Sequence, residues 1–233
     1  MPEPLTGRGP VLALDTSGAA CSAALFTRGA LSGLSEATRT GHSERLMAMV
    51  ERLLREAGLA FGDVERIAVT IGPGSFTGVR IGLAAARGFA LATGRPVLGF
   101  TTLEVTAAAA ARDAALPAGS RLRVLMDARR GEVYWQDFTV AADWLRICPE
   151  TPPAVSPLSG LPGLPSGAAR TGSGLPLAPT GEGVIDVPGQ EAPDARALAM
   201  LGAAAALLEP YRPPRPLYLR APDAKLPGGR PAP

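Results

Sequence analysis

The segment from Ile67 to Phe100 places the strictest limit on what this chain can fold into. It predicts an apolar strand (Ile67–Ile71), a Gly-Pro-Gly loop, an almost wholly apolar helix (Thr77–Thr93), a helix stop at Gly94 and a second strand (Val97–Phe100). A strand, a helix and a strand in this order form a crossover connection between two parallel strands. The chain is therefore predicted to be an α/β protein whose sheet is parallel in part.

A second pattern, a β-hairpin with an aspartate at its turn, occurs twice. Val11 to Phe26 gives a strand, Asp15, a Thr-Ser-Gly turn and another strand, and Arg123 to Phe138 repeats this layout with Asp127 in the place of Asp15. Two lobes that each open with such a hairpin are the plan of the actin, chaperone-ATPase and sugar-kinase superfamily. By this analogy the fold class is α/β, with duplicated actin-like (ribonuclease H-like) lobes of mixed sheets flanked by helices.

The predicted domain boundaries follow from this duplication. Residues 1–103 form the first actin-like lobe, and a C-terminal helix (194–209), capped by Asp194, packs back against it. Residues 104–193 form a second, smaller lobe, whose later part is rich in Pro, Gly, Ser and Thr and is expected to hold one or two short strands. Residues 210–233 form an extended tail.

Composition argues against several function classes. The sequence shows no secretory signal pattern and no apolar run long enough to span a membrane, so a cytoplasmic protein without membrane contact is expected. A net charge of +2 is too mild for an independent nucleic-acid binder, so any RNA contact is expected to be shared with a partner. Cys21 and Cys148 lie far apart, which argues against a disulfide or a thiolate metal site, and both are expected to be buried.

Asp15, Thr16 and Ser17 are the candidate residues for a nucleotide site. In the actin-like superfamily the first hairpin of each lobe holds nucleotide phosphates, and an aspartate there orients metal-bound water. The second hairpin of this chain offers Asp127 followed by bulky arginines, which prevent a backbone from closing around phosphates. We therefore expect both aspartates to brace their turns. A nucleotide-binding ATPase or phosphotransferase that uses Asp15 and Asp127 is the alternative.

The Gly-Pro-Gly loop lies between a strand and a helix start, where backbone N–H groups can hold an anion. Gly72, Gly74 and Ser75 are the candidates for such a vestigial site, although the loop lacks the ending of a P-loop. A structural turn that lets helix and strand approach closely is the favoured interpretation. Ser75 and Ser17 have no evident base, because His42 is the only histidine and is interpreted as a turn residue. No catalytic residue is therefore assigned.

Two helices carry more apolar surface than one lobe is expected to bury. In the first, predicted from Ser43 as N-cap to Ala57, the apolar residues fill an arc wider than the roughly 100° that packing on a core requires. The surplus predicts a partner interface. Its candidate residues in this helix are Leu46, Met47, Met49, Val50, Leu53 and Leu54.

The second helix has almost no polar face, since Arg80 and Arg87 are its only polar side chains between Val79 and Ala92. Small residues recur every fourth position and give a smooth ridge against which another backbone can pack. This ridge consists of Gly78, Gly82, Ala86 and Ala90. An apolar patch of this size predicts binding to another protein, through residues that include Val79, Arg80, Leu83 and Arg87. A helix buried centrally in its own domain is the alternative.

Several strings in the sequence resemble the bacterial TsaB family, also called YeaZ. They are LALDTS, HSERLMAMVERLL, IGPGSFTGVRIGLAAARGFALATGRPVLGFTTLE, DARRGEVY and PLYLRAPDAK. The resemblance implies a duplicated actin-like fold and a supporting role in making the threonylcarbamoyl modification of the adenosine beside the anticodon of certain tRNAs. In that pathway a related subunit, TsaD, transfers the threonylcarbamoyl group, and the ATPase TsaE joins the complex.

Thr102 and Thr106 stand where TsaD-like proteins carry the two histidines of a metal-binding H-x-x-x-H motif. The resemblance therefore implies a non-catalytic paralogue with no metal and no cofactor, which meets tRNA only through the complex. Family members pair with TsaD, and with themselves, through the helices that correspond here to Ser43–Ala57 and Thr77–Thr93. The family has also been described as proteolytic towards its partner, so a peptidase is a further alternative.

Overall fold

The structure, a computed structural model, describes residues 9–38, 41–142, 144–179, 182–206 and 213–220. Within these ranges the chain forms two β-sheets with helices packed on them. The first elements in chain order are β1 (Val11–Asp15), β2 (Ala20–Thr27), β3 (Ala30–Ala37), α1 (His42–Glu56), β4 (Arg66–Thr70), α2 (Phe76–Thr93), β5 (Val97–Phe100) and α3 (Thr102–Asp113). They are followed by β6 (Arg121–Arg129), β7 (Glu132–Val140), β8 (Ile147–Pro149), β9 (Ala154–Pro157), β10 (Ala169–Thr171), β11 (Ile185–Val187) and α4 (Ala195–Ala204).

The two sheets share one strand order, which confirms the duplication predicted from the sequence. The first sheet has the order β3-β2-β1-β4-β5, with antiparallel hairpins at one end and the parallel pairs β1–β4 and β4–β5 at the other. The second has the order β8-β7-β6-β10-β11, again antiparallel at one end and parallel at the other, and β9 also pairs with β7. The chain is thus an α/β protein with two actin-like lobes of mixed sheets flanked by helices, as predicted.

The crossover unit of the first lobe is present, since β4 and β5 are parallel neighbours joined by α2. The predicted start of α1 is wrong. The helix begins at His42, and its N-cap is Gly41 with φ of 70°, a left-handed backbone that glycine adopts readily, so Ser43 lies inside the helix. Asp194 caps α4 as predicted, because its Oδ1 accepts a hydrogen bond from Arg196 N–H (2.9 Å).

β1 is buried on both faces and separates two apolar cores. Leu12 and Leu14 belong to a core shared with α1 and α2, whereas Val11 and Ala13 belong to a core shared with α3 and α4. The second core also includes side chains of β6 and β7, so α3 and α4 form a layer between the two sheets. A run of buried alanines in α3, whose side chains are small, lets these elements approach closely.

The Pro-rich part of the second lobe contains three short strands, β9, β10 and β11, where one or two were expected. Two buried arginines hold this region together. Arg123 donates to both carboxylate oxygens of Asp137 (2.6 and 2.7 Å) and to Pro162 O of this region, and Arg170 donates to Asp186 in the neighbouring strand. Buried arginines need such partners, because desolvating an unpaired guanidinium is costly.

The cysteines differ in environment. Cys21 is buried as predicted. Cys148 lies at the edge of the second sheet and is exposed, so the prediction that it is buried is wrong. Among the described residues, no helix combines the length and apolar character that crossing a membrane requires. Of the predicted helix 194–209 and tail 210–233, residues 207–212 and 221–233 lie outside the described residues.

Candidate functional site

The first-lobe turn after β1 is built around the carboxyl group of Asp15. This side chain is fully buried, and its Oδ1 accepts hydrogen bonds from Ser17 N–H (3.1 Å), Ser17 Oγ (2.6 Å) and Thr70 Oγ1 (2.5 Å). Burial raises the pKa of Asp15 above its ordinary value, and the hydrogen bonds oppose that shift only in part. The prediction that Asp15 braces its turn is confirmed.

The Gly-Pro-Gly loop packs its backbone directly on this turn. Ser75 N–H donates to Ser17 O (2.8 Å), and Thr16 Oγ1 donates to Gly78 O (2.7 Å). A Cβ atom at Gly78 would lie 1.9 Å from Thr16 O, and one at Gly74 would lie 2.4 Å from Ser17 O. The glycines therefore permit a close approach of helix and turn, as the favoured interpretation of the loop predicted.

Two of the N–H groups that a phosphate could use, those of Ser75 and Gly78, already have acceptors within the protein. Ser75 N–H is bonded to the turn, and Gly78 N–H donates to Ser75 Oγ (3.2 Å), which makes Ser75 the N-cap of α2. Gly72 has φ of 99°, and its carbonyl accepts from Thr102 N–H (2.8 Å). A bound phosphate would have to displace such contacts, and the anion site at Gly72, Gly74 and Ser75 stays a prediction.

The second-lobe turn repeats this bracing but exposes its charges. Asp127 Oδ1 accepts a hydrogen bond from Arg129 N–H (2.7 Å), as predicted. Arg129, Arg130 and Gly131 all have positive φ (67°, 58° and 76°), and this conformation costs a non-glycine residue about 1–2 kcal/mol. Both arginine side chains are exposed. The turn therefore ends in two cations where a phosphate-binding turn would offer small residues.

A cleft of about 730 Å³ lies between the two turns. His42, Asp127, Arg129 and Glu191 are in its wall, so acidic and basic groups are mixed there. Among the described residues, no group of three His, Cys, Asp or Glu side chains is placed to hold a metal ion. His42 is the first residue of α1 and does not form a turn of its own, and its carbonyl accepts from Cys21 Sγ (3.6 Å).

Thr102 and Thr106 lie at the start of α3 and are buried. Thr102 Oγ1 donates to Ser17 Oγ (3.3 Å), so α3 is tied to the first-lobe turn. The helix starts with a capping box in which Thr101 and Glu104 exchange hydrogen bonds, and burial raises the pKa of Glu104. This helix is absent from the elements predicted above, although Thr-x-x-Glu before a run of alanines is a helix-start signature.

The structure corrects the interpretation of α1. Its apolar arc faces the chain's own first lobe, and the predicted interface residues that are buried there are Leu46, Met49, Val50, Leu53 and Leu54. The apolar arc of α1 is wide because the helix packs on β2, β3 and α2 together. It does not indicate apolar surface that the first lobe fails to bury. Of the predicted α1 residues, Met47 alone is exposed (48%).

The small-residue ridge of α2 also faces inward. Gly78, Gly82 and Ala86 are buried on the side that contacts β1 and β4, together with Val79 and Leu83. A Cβ atom at Gly82 would lie 2.9 Å from Thr16 Oγ1, so the ridge serves the packing of helix on sheet. Gly78, Gly82 and Ala86 therefore do not form the predicted partner surface, Ala90 of the ridge is half-buried, and Val79 and Leu83 lie in the core.

Arg80 and Arg87 are exposed, but they contact the chain's own C-terminal segment. Arg80 Nε donates to Tyr218 Oη (3.1 Å), and its guanidinium carbon lies 3.8 Å from the centre of the Phe76 ring. Arg87 Nη2 donates to Pro214 O (2.9 Å). These contacts join residues far apart in the sequence, so no local pattern could indicate them.

The exposed side of α2 is a different stripe from the predicted ridge. Beside the exposed Arg80 and Arg87 it carries apolar residues that are small apart from Ile81 and Leu91; Ile81 and Ala85 are half-buried, and Leu91 is 89% exposed. We call this surface the α2 outer face; it comprises Ile81, Ala84, Ala85, Gly88, Leu91 and Ala92.

Comparisons with known proteins place this geometry in a class. Residues 35–171 match the family model described as "TsaD: tRNA N6-adenosine threonylcarbamoyltransferase". Among solved structures, "an uncharacterized protein with similarity to peptidase YEAZ from Pseudomonas aeruginosa" superposes with a TM-score of 0.80 at 32% identity, over 91% of this chain and 100% of that chain. YeaZ from Pseudomonas aeruginosa gives a TM-score of 0.72 at 33% identity, over 84% and 91%. The chain is thus a two-lobed actin-like protein related to TsaD.

Curated relatives narrow the class to a family. The tRNA threonylcarbamoyladenosine biosynthesis protein TsaB of Escherichia coli is 39% identical over 128 residues, which are 55% of this chain and 54% of that protein. The match thus spans about half the length of this curated relative. An uncharacterized protein of Mycobacterium tuberculosis is 33% identical over 218 residues, 92% and 93% of the two chains. The chain belongs to the TsaB/YeaZ family.

Proposed function

We propose that this chain is a non-catalytic partner subunit. It binds and supports a TsaD-type threonylcarbamoyltransferase in forming threonylcarbamoyladenosine in tRNA next to the anticodon. Family membership and the names of the curated relatives support this pathway. A TsaE-like ATPase and the tRNA are expected to engage the pair of subunits, and no cofactor is assigned to this chain.

The α2 outer face carries the proposal. Contiguous apolar residues on the exposed side of a helix are a candidate surface for binding another protein. Ala84, Ala85 and Gly88 have little or no side chain, so a helix of the partner can approach closely there. Leu91 projects from the same stripe and is the candidate anchor, because burying an exposed leucine side chain contributes about 1.5–3 kcal/mol.

The first-lobe turn argues against the alternative of a phosphotransferase that uses Asp15 and Asp127. A carboxyl that orients metal-bound water must be charged and accessible, whereas Asp15 is fully buried with a raised pKa. The close contact of Gly78 with Thr16 leaves no gap between helix and turn for a phosphate. The geometry therefore favours a binding role for this chain.

Replacing Leu91 by aspartate is expected to raise the Kd for the TsaD-type transferase about 30-fold, which corresponds to about 2 kcal/mol. The reason is that a charge would enter an apolar contact and lose its water there. Calorimetry on the purified pair measures the affinity, and a reconstituted reaction with tRNA measures threonylcarbamoyladenosine formation.

Leu177→Asp is the matched control, because Leu177 is also an exposed leucine (46%) but lies in the second lobe. It should leave affinity and modification at the wild-type level. Wild-type affinity of Leu91→Asp, or an equal loss in both variants, would rule out the α2 outer face. Failure of the wild-type chains to associate would rule out the proposed function itself.

A homodimer through the same surface is the competing use of the α2 outer face. Light scattering on the isolated chain distinguishes the two arrangements. If the isolated chain is a dimer of this kind, Leu91→Asp should convert it to a monomer, and the transferase should displace the second copy. A dimer that survives both treatments would use another surface.

A further inference from the structure

The C-terminal segment from Pro213 to Arg220 contacts both lobes of the chain. It lies beside β5, passes the start of α2 and ends at the β6–β7 turn of the second lobe. We call residues 213–220 the strap. Its last four residues form part of the wall of the cleft between the lobes.

The strap is fixed to the first sheet by backbone contacts. Leu217 N–H donates to Ile71 O (2.7 Å). This bond holds the strap beside the residue that follows β4. A Cβ atom at Gly72 would lie 2.7 Å from Leu217 O, and one at Gly99 would lie 2.5 Å from Pro214 Cβ. Glycine at both positions thus makes room for the strap.

Side chains of α2 hold the strap from the other side. Arg87 donates to Pro214 O, and Arg80 donates to Tyr218 Oη while its guanidinium lies over the Phe76 ring. The rings of Phe76 and Tyr218 also pack on each other, with centres 5.0 Å apart. The strap is therefore anchored to the first lobe along much of its length.

Arg220 connects the strap to the second lobe. Arg220 Nη1 donates to Ala128 O (2.9 Å), and Arg220 Nη2 lies 2.9 Å from Glu132 Oε2. Ala128 lies in β6 just before the turn that contains Arg129 and Arg130, and Glu132 lies in β7 just after it. The guanidinium of Arg220 therefore contacts both strands of this hairpin next to its turn. The pair is partly buried, with side-chain exposures of 25% and 30%. A charge-assisted contact of this kind is stronger than a hydrogen bond between neutral groups.

We propose that the strap locks the two lobes at one fixed angle. Elsewhere the lobes are joined by the α3–α4 layer, where Arg112 of α3 pairs with Asp194 at the start of α4 (2.7 Å). Two lobes that contact each other only through the α3–α4 layer can rotate about that layer as a hinge. The strap adds a second contact on the other side of the cleft and prevents this rotation. The α2 outer face and the second lobe then form one rigid body.

Spin labels on the two lobes test the lock. Cys148 is an exposed cysteine of the second lobe and Cys21 is buried, so one introduced cysteine, Ala30→Cys at the exposed start of β3, completes a labelled pair. Double electron–electron resonance then reports the distance between the lobes. The chain with wild-type Arg220 should give one narrow distribution, and Arg220→Ala should broaden it or add a second distance.

Arg215→Ala is the matched control, because Arg215 is an exposed arginine of the same strap. It should keep the narrow distribution. Glu132→Ala removes the ion pair while leaving the chain of the strap intact, and it should broaden the distribution even if Arg220→Ala folds poorly. A narrow, unshifted distribution in a folded Arg220→Ala chain, or in Glu132→Ala, would overturn the proposal.

Discussion

Replacing Gly78 by alanine is expected to lower the free energy of unfolding by about 2–4 kcal/mol. The new Cβ atom would lie 1.9 Å from Thr16 O, and both are backbone-fixed positions that no side-chain rotation can relieve. Moving α2 away would break the hydrogen bonds from Thr16 Oγ1 to Gly78 O and from Ser75 N–H to Ser17 O. Urea denaturation followed by circular dichroism measures the change.

Gly88→Ala on the same helix is the matched control and is expected to change stability in the opposite direction. Nothing lies within 4 Å of a Cβ atom at Gly88, and alanine is favoured over glycine in a helix by about 1 kcal/mol. The two variants therefore share a chemical change and differ in environment. Equal effects of the two substitutions would show that the contact of Gly78 with Thr16 is not a constraint on α2.

The inward position of Gly78 also shows where reasoning from the helices failed. The helical wheel of α2 is apolar on almost every side, so periodicity could not say which side meets the sheet. Small residues at every fourth position permit close packing on a sheet as well as on a partner. The ridge packs against Thr16 and the neighbouring turn of the first lobe. Which side of α2 is exposed to solvent is decided by the three-dimensional packing of the helix on its sheet.

The failure in α1 has a different cause. A wide apolar arc indicates surplus surface only if the helix rests on one neighbour, and α1 rests on a sheet and a helix at once. Leu46 and Leu53 therefore reach the core although the arc exceeds that of a helix on a single layer. The number of neighbours of a helix is a property of the assembled lobe, which no window of sequence contains.

The architecture was predictable because it rests on local signals. The aspartate hairpins at Asp15 and Asp127 and the crossover between β4 and β5 each lie within one short window of sequence. The strap contacts were not, because Arg80 and Tyr218 are 138 residues apart and the pairing depends on both lobes being in place. Sequence thus indicated the supersecondary units, and the site emerged where distant units meet.

Asp15→Asn is expected to stabilise the chain relative to wild type as the pH rises above about 4, by up to about 1.4 kcal/mol per pH unit until the folded pKa is reached. The folded pKa of Asp15 lies above its ordinary value of 3.8, so in this window the unfolded chain loses its proton while the folded chain keeps it, and wild-type stability falls. Asparagine cannot ionise, so the variant escapes this loss. Its amide oxygen can still accept from Ser17 and Thr70.

Asp15→Ala should behave in the opposite way and destabilise the chain by about 3 kcal/mol, because buried donors left without an acceptor cost about 1–3 kcal/mol each. Those donors are the N–H and hydroxyl of Ser17 and the hydroxyl of Thr70. Asp127→Ala is the control at the equivalent turn, where water can reach the freed N–H of Arg129, and it should cost about 1 kcal/mol or less.

Urea denaturation of these variants across the neutral and acidic range decides between two uses of the first-lobe turn. If the carboxylate of Asp15 served to orient metal-bound water, Asp15→Asn would abolish that function and would not stabilise the chain. A carboxyl that braces a turn would instead tolerate the amide, and because burial raises the pKa of Asp15 the variant would be more stable than wild type at neutral pH. A stability difference between Asp15→Asn and wild type that does not change with pH would show that folding does not raise the pKa of Asp15. It would also remove one of the arguments for a binding subunit.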